Sequence, residues 1–209
     1  MQATCLEPFF DHIEMLKLLR ASRDIENNLG GWLRASEIWS IIQDRAELTE
    51  TEEFRDQGLR DAIVILEEAV AKRVCYGTSG DCIAAAMQSL KDWVQLCEGR
   101  PRRWHHYIYW PGILPGKFIE ALEHEDGLAS TLLLHWLAIL RLAAPRWFLE
   151  YWIIRTGNHI VSKLPHELDK LKTWPVSIIC TDRFGTLRRN SKPRLEISND
   201  GLAAAITRC

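Results

Sequence analysis

The chain has 209 residues, 47% of them hydrophobic, with a formal net charge of -2. That is enough apolar matter for one well-filled core and no argument for a second, and the near-neutral balance excludes broad electrostatic attraction to nucleic acid. The cysteines at 5, 75, 82, 97, 180 and 209 have neither the C-x-x-C nor the Cys/His spacing of a zinc site, so no metal is expected, and without an export signal their thiols are expected to stay reduced, with no disulfide framework.

In chain order, Pro8 stands near the start of a first helix, expected to reach about Asp24 with Phe9, Ile13, Leu16 and Leu19 inward and His12 towards solvent. Asn27-Asn28-Leu29-Gly30-Gly31 reads as a turn, because Asn and Gly reach positive φ cheaply. A second helix is expected from Trp32 to about Arg45. Thr49 and Glu52 have the spacing of a capping box, opening a long helix to about Arg73 with Leu59, Ala62, Ile63, Leu66 and Val70 on one face. The glycines at 77 and 80 lack the pattern and the preceding strand of a phosphate loop. Asp81 instead suits the N-cap of a helix through Ile83, Met87, Leu90, Val94 and Cys97, ending near Gly99.

Arg100 to Gly112 interleaves basic and aromatic residues, a composition that can stack on single-stranded nucleic acid. Three arginines make a weak electrostatic footprint. The better fit is a loop whose Trp104, Tyr107 and Trp110 tuck onto the core and wall or cover a pocket. Pro115 and Gly116 then open a short helix to about Glu123, and Asp126 and Ser130 are candidate caps for the next, which ends near Leu142. Pro145 suits the first turn of its partner, in which Gly157 marks a kink or a close backbone approach. Pro165 ends that helix and a short last one follows. Val176 to Cys180 has the β-branched content of a short strand, and the residues from Thr181 carry six basic against three acidic side chains without a helical stripe. These readings give an all-α, single-domain bundle of about seven to nine helices over residues 1–174, with an irregular basic tail over 175–209.

No secretory leader is apparent. The longest apolar stretch, Leu128 to Ala144, is broken by His135 and Arg141 and falls short of a bilayer span. A cytoplasmic protein is expected, or a nuclear one if it is regulatory.

The stretch from Asp126 to Leu164 organises the rest. The run Leu132, Leu133, Leu134, Trp136, Leu137, Ile139, Leu140 is apolar nearly all round, which demands protein on every side. In the following helix Phe148, Trp152, Arg155 and His159 share one face, two rings followed by two polar groups. An apolar surface ending in a few convergent polar groups is how a site for a hydrophobic ligand is commonly built. Trp110, Trp136, Trp147, Phe148, Tyr151 and Trp152 are therefore candidate walls, and His135, Arg155 and His159 candidate hydrogen-bond donors or proton-transfer groups.

The order of a short Pro/Gly-rich linker, the apolar helix LLLHWLAILRL and the Trp-rich helix PRWFLEYW resembles the C-terminal regulatory domain of fungal zinc-cluster transcription factors, particularly the sterol-responsive kind, over roughly Thr49 to Leu171. The resemblance implies a helical bundle that holds a hydrophobic ligand among its C-terminal helices and can dimerise. The six closely spaced cysteines of a zinc cluster are absent, so direct DNA binding is not expected. Three uses stay open for such a domain. One is cofactor-free cyclisation or isomerisation of a terpenoid, polyketide or sterol-like molecule, since preorganisation alone lowers barriers and no cofactor fingerprint occurs. Another is a non-catalytic sensor, or a regulator acting through dimerisation. The third is an interaction role without ligand.

Overall fold

A computed structural model describes residues 11–35, 57–74, 80–143 and 147–180, and the chain divides into two units, residues 1–179 and 180–209. The first unit is all-α, as the periodicity requires. Its described helices are α1 (His12–Arg34), α2 (Gln57–Val74), α3 (Gly80–Leu96), α4 (Trp104–Ile113), α5 (Gly116–Glu123), α6 (Gly127–Leu142), α7 (Trp147–Lys163) and α8 (Asp169–Ile179), with a 3-10 turn at His166–Leu168 before α8. No strand occurs among the described residues.

α6 is the centre. Every residue from Thr131 to Leu140 is buried, and α3, α5, α7 and α8 pack around it. Its start is fixed by Asp126, whose Oδ1 accepts from the amides of Leu128 and Ala129 at 3.0 and 3.1 Å. This side chain satisfies two of the amides that a helix start leaves unpaired. The same carboxylate receives the Arg73 guanidinium from the end of α2 through both oxygens, so one residue starts the central helix and ties α2 to it. Ser130, the other candidate cap, lies inside the helix. At the far end Arg141 Nη1 meets Glu150 Oε1 of α7 at 2.8 Å.

Four sequence readings change. Asn27 to Gly31 is helical, because α1 runs unbroken through it to Arg34; packing of the helix outweighs the turn preference of Asn and Gly. The expected helix from Trp32 to Arg45 thus begins inside α1, and its remainder, like Pro8 and the Thr49–Glu52 box, lies outside the described residues. Arg100 to Gly112 is not a loop, since Trp104 begins α4 and Pro111 sits in its last turn. Three hydrogen bonds explain the rearrangement. Trp93 Nε1 donates to the His106 carbonyl at 2.6 Å, Trp110 Nε1 to that of Ala86 at 3.3 Å, and Tyr107 Oη to that of Pro101 at 3.3 Å. The first two lash α4 to α3, the third ties it to the connection before it, and Tyr107 and Trp110 are buried while Trp104 stays at the surface. Finally, Val176 to Ile179 continues α8 instead of forming a strand; an isolated strand would leave its ladder groups unpaired, and a helix satisfies them within itself.

Gly157 does mark a close approach. A Cβ there would stand 2.8 Å from Ile179 Cδ1, so the absent side chain lets α8 pack directly on α7. Gly112 does the same for α1: a Cβ would meet Arg23 Cδ at 2.0 Å, where the guanidinium lies 4.2 Å from the centre of the Tyr109 ring and Nη1 donates to the Tyr109 carbonyl at 2.6 Å. α1 is thereby held on α4, with α5 as its lesser neighbour. No described helix is long and apolar enough to cross a membrane.

Candidate functional site

The aromatic candidates fall into three settings. Trp110, Trp136 and Trp152 come together, as their places on facing helices allow. The Trp136 ring stands 5.5 Å from Trp110, 6.3 Å from Trp152 and 6.4 Å from Trp93, and Phe118 meets Trp110 edge-on at 6.0 Å. These are the separations of rings packed on one another in a core. Tyr151 instead points outward, 62% exposed. Trp147 and Phe148 open α7, but their side chains lie outside the described residues.

Within the aromatic layer some polar atoms find no protein partner. Trp136 Nε1, Trp152 Nε1 and Thr156 Oγ1 are buried without a hydrogen bond. Trp152 and Thr156 are one turn apart on α7, and Trp152 touches Trp136 on α6. A buried donor left unmade costs about 1–3 kcal/mol, so each of these atoms is an unmet need of the described interior.

The polar candidates do not converge on that layer as a group. His135 is fully buried, and its Nδ1 lies 2.8 Å from the Thr131 carbonyl one turn back. A carbonyl only accepts, so Nδ1 carries the hydrogen and Nε2 is the acceptor. Burial pushes its pKa down to about 4, leaving a neutral ring stacked on Trp174 at 5.9 Å. Arg155 faces outward with Tyr151, its Nη1 3.4 Å from the phenol oxygen and its guanidinium carbon 5.9 Å from the ring centre.

His159 belongs to a different place. It lines a cleft with His12, Leu122, Glu125, Gly127, Ser130, Ile160, Lys163 and Leu164, where the first turn of α1 meets the α5–α6 turn and the end of α7. The His12 and His159 rings are 6.2 Å apart, and Lys163 pairs with Glu125 at the rim. Glu125 holds a left-handed φ of 56°, the means by which α5 ends and the chain turns into α6. His12, expected at the surface, has only 18% of its side chain exposed. The sequence held the signal: His12 lies at i-4 and i-7 to Leu16 and Leu19 on the inner face of α1. Its Nδ1 is 2.9 Å from Asp11 Oδ1 but out of hydrogen-bond alignment. Burial lowers its pKa first of all; Asp11 opposes this, and His159 and Lys163 add to it. The cleft measures about 30 Å³, room for a water or two and far below the roughly 300 Å³ at which drug-sized ligands begin to be enclosed. Two imidazoles, a carboxylate and an ammonium around a water can hold and pass a proton. Among the described residues no three His, Cys, Asp or Glu side chains are placed to hold a metal.

The feature that sequence reasoning missed lies on α1. Leu18, Ile25, Leu29 and Trp32 form one outward stripe, and Trp32 is 85% exposed. They sit on the side of the helix opposite Leu16, Arg23 and Gly30, which face the bundle. The spacing was legible, but reading Asn27 to Gly31 as a turn cut the stripe in two. A run of large apolar side chains along one exposed helix face is characteristic of a surface that another protein covers. Comparison with protein-family models, curated proteins and solved structures gives no match for this chain.

Proposed function

We propose that this chain is a helical protein-interaction domain that works by docking a partner on the outer stripe of α1. The observation that carries this is the contrast along α1: inward residues tie the helix to α4, while outward ones leave Ile25, Leu29 and Trp32 in water. Removing such a stripe from water is worth about 25 cal/mol per Å², and none of the described residues collects it. The test is a photo-crosslinking residue at Leu29 in living cells, with the exposed Glu120 of α5 as control site. Adducts to protein are expected from position 29 only; none from either position would sink the reading.

A second reading has one observation in its favour. The unpartnered Trp136 Nε1, Trp152 Nε1 and Thr156 Oγ1 are two donors and a hydroxyl, and a small apolar molecule with carbonyl or hydroxyl oxygens would satisfy them. That supports the binding of a terpenoid-, polyketide- or sterol-like guest, and leaves cyclisation or isomerisation as the chemistry that such a guest would undergo. Titration calorimetry with such molecules against the wild type and Thr156→Val tests it, and equal binding by both would remove it.

A further inference from the structure

The cleft between the start of α1, the α5–α6 turn and the end of α7 gathers ionisable side chains from each of these elements. His12 comes from α1, with Asp11 just before it; Glu125 comes from the turn, and His159 and Lys163 from α7. Of these, His12 is the one least suited to carry a charge where it stands. Only 18% of its side chain is exposed, and its buried Nδ1 finds no hydrogen bond among the described residues. A neutral ring can leave that nitrogen a bare acceptor, whereas a protonated ring makes it a donor that must find a partner. His12 is also the first residue of α1, at the positive end of the helix dipole, where a cation is unfavourable. Across the cleft stand the His159 ring at 6.2 Å and the Lys163 ammonium.

Two carboxylates face such a charge, and both are engaged. Asp11 Oδ1 accepts from the Ile13 amide at 3.4 Å, the contact that caps α1. It lies 2.9 Å from His12 Nδ1 but out of alignment, and turning it onto the ring competes with the cap. Glu125 is held by Lys163 at the rim. A proton on His12 is therefore best accommodated by moving the ring into water, and burial is the largest cause of its lowered pKa. The start of α1 is held by the burial of Ile13 and Leu16, with an exposed Lys17–Glu123 pair beside them. The firm polar hold lies further along, where Arg23 meets Tyr109, so the first turn can open while the rest of α1 stays docked. Above pH 6.5, the free imidazole value, the closed form is complete; below it the open form takes up the proton first.

We propose that this cleft is an acid-sensitive latch: while His12 is neutral it holds the start of α1 against the end of α7, and a proton taken up at His12 releases that turn alone. The latch stands whether or not the outer stripe of α1 has a partner. Hydrogen exchange of the full chain, read by mass spectrometry at about pH 7.5 and about pH 5.5 and corrected for the intrinsic pH dependence, tests it. Opening of the peptide from His12 to Leu19 should rise by about tenfold on acidification, the equivalent of one pKa unit, and by more than any change in peptides of α6. His12→Gln, which keeps a neutral polar side chain, should open equally at both pH values. Lys163→Gln removes the facing ammonium and frees Glu125 to meet the charged ring, and should shrink the rise several-fold. Equal opening of the wild type at both pH values, a rise matched by α6, stronger protection of α1 in acid, or a rise undiminished in His12→Gln would each overturn the inference. The wild-type comparison decides it even if neither variant folds.

Discussion

The chain holds two tryptophan environments that local composition does not tell apart. Trp136, on α6, has no exposed surface and touches Trp93, Trp110 and Trp152; Trp32, on α1, stands almost wholly in water. Both lie on helices and both belong to apolar stripes. The difference is in what remains after the helix has buried one face. α6 is apolar all round and is enclosed all round, whereas α1 is apolar on two opposite faces and, among the described residues, only one is covered. An apolar stripe thus reports burial only when the fold has a neighbour to offer, and reports a meeting surface when it has none.

The sharpest way to break that comparison is to truncate both rings. Trp136→Ala should lower stability by about 3–5 kcal/mol, the usual loss for emptying a core tryptophan site. Trp32→Ala should stay within about 0.5 kcal/mol of wild type. Denaturant titrations of the two variants decide the matter, and a large loss from Trp32→Ala would mean that the stripe is covered within the monomer.

Acid sharpens the same contrast from the buried side. The His135 pKa lies at about 4 in the fold against 6.5 when free, so the folded state favours the neutral ring. Its contribution is complete above pH 6.5, and below that the unfolded chain takes up the proton first. Stability should therefore fall between pH 6.5 and 4 by up to about 3 kcal/mol from this residue. His12, His105 and His106 are shifted the same way, each chiefly by burial, and steepen the fall. His135→Leu should flatten the acid limb of a denaturation series without removing it; an unchanged limb would show that the ring is not held neutral.

The fold was legible where one physical signal dominated. α6 announced itself as a run with no polar face, Asp126 as the cap before it, and Gly157 as a place where two backbones meet. The misreadings came from local preferences that tertiary contacts overruled. Arg100 to Gly112 looked like a loop because its helical faces are not segregated, yet the carbonyls of Ala86, Pro101 and His106 give its aromatic donors, and that of Trp93, a use that no local pattern displays. The proposed site was partly visible. Trp110, Trp136 and Trp152 do meet, but which nitrogens find partners, and that His159 faces His12 instead of the rings, depends on how α7 is rotated against α1 and α6, which helical spacing alone does not specify.

Asp126 joins the buried region to its supports. Asp126→Ala removes both the cap of α6 and the anion that receives Arg73, and should lower stability by about 1–2 kcal/mol. Asp126→Asn keeps a capping oxygen while losing the charge and should lose less. If both variants lost the same amount in thermal unfolding, the ion pair with α2 would be the whole of its role.

The smallest effect bears on α1 itself. Gly31 lies within the helix, and a Cβ built there meets nothing within 4 Å. Glycine weakens a helix interior by giving the unfolded chain more freedom than alanine does. Gly31→Ala should therefore raise stability by about 0.5–1 kcal/mol, and should leave docking on α1 intact or strengthen it, because the helix that carries Leu29 and Trp32 becomes stiffer. Were Asn27 to Gly31 a turn with a glycine at positive φ, the same change would strain the backbone and lower stability. The sign of this one difference, read from paired denaturation curves, tells whether the outer stripe is continuous through Trp32, and with it whether α1 has a second face to offer.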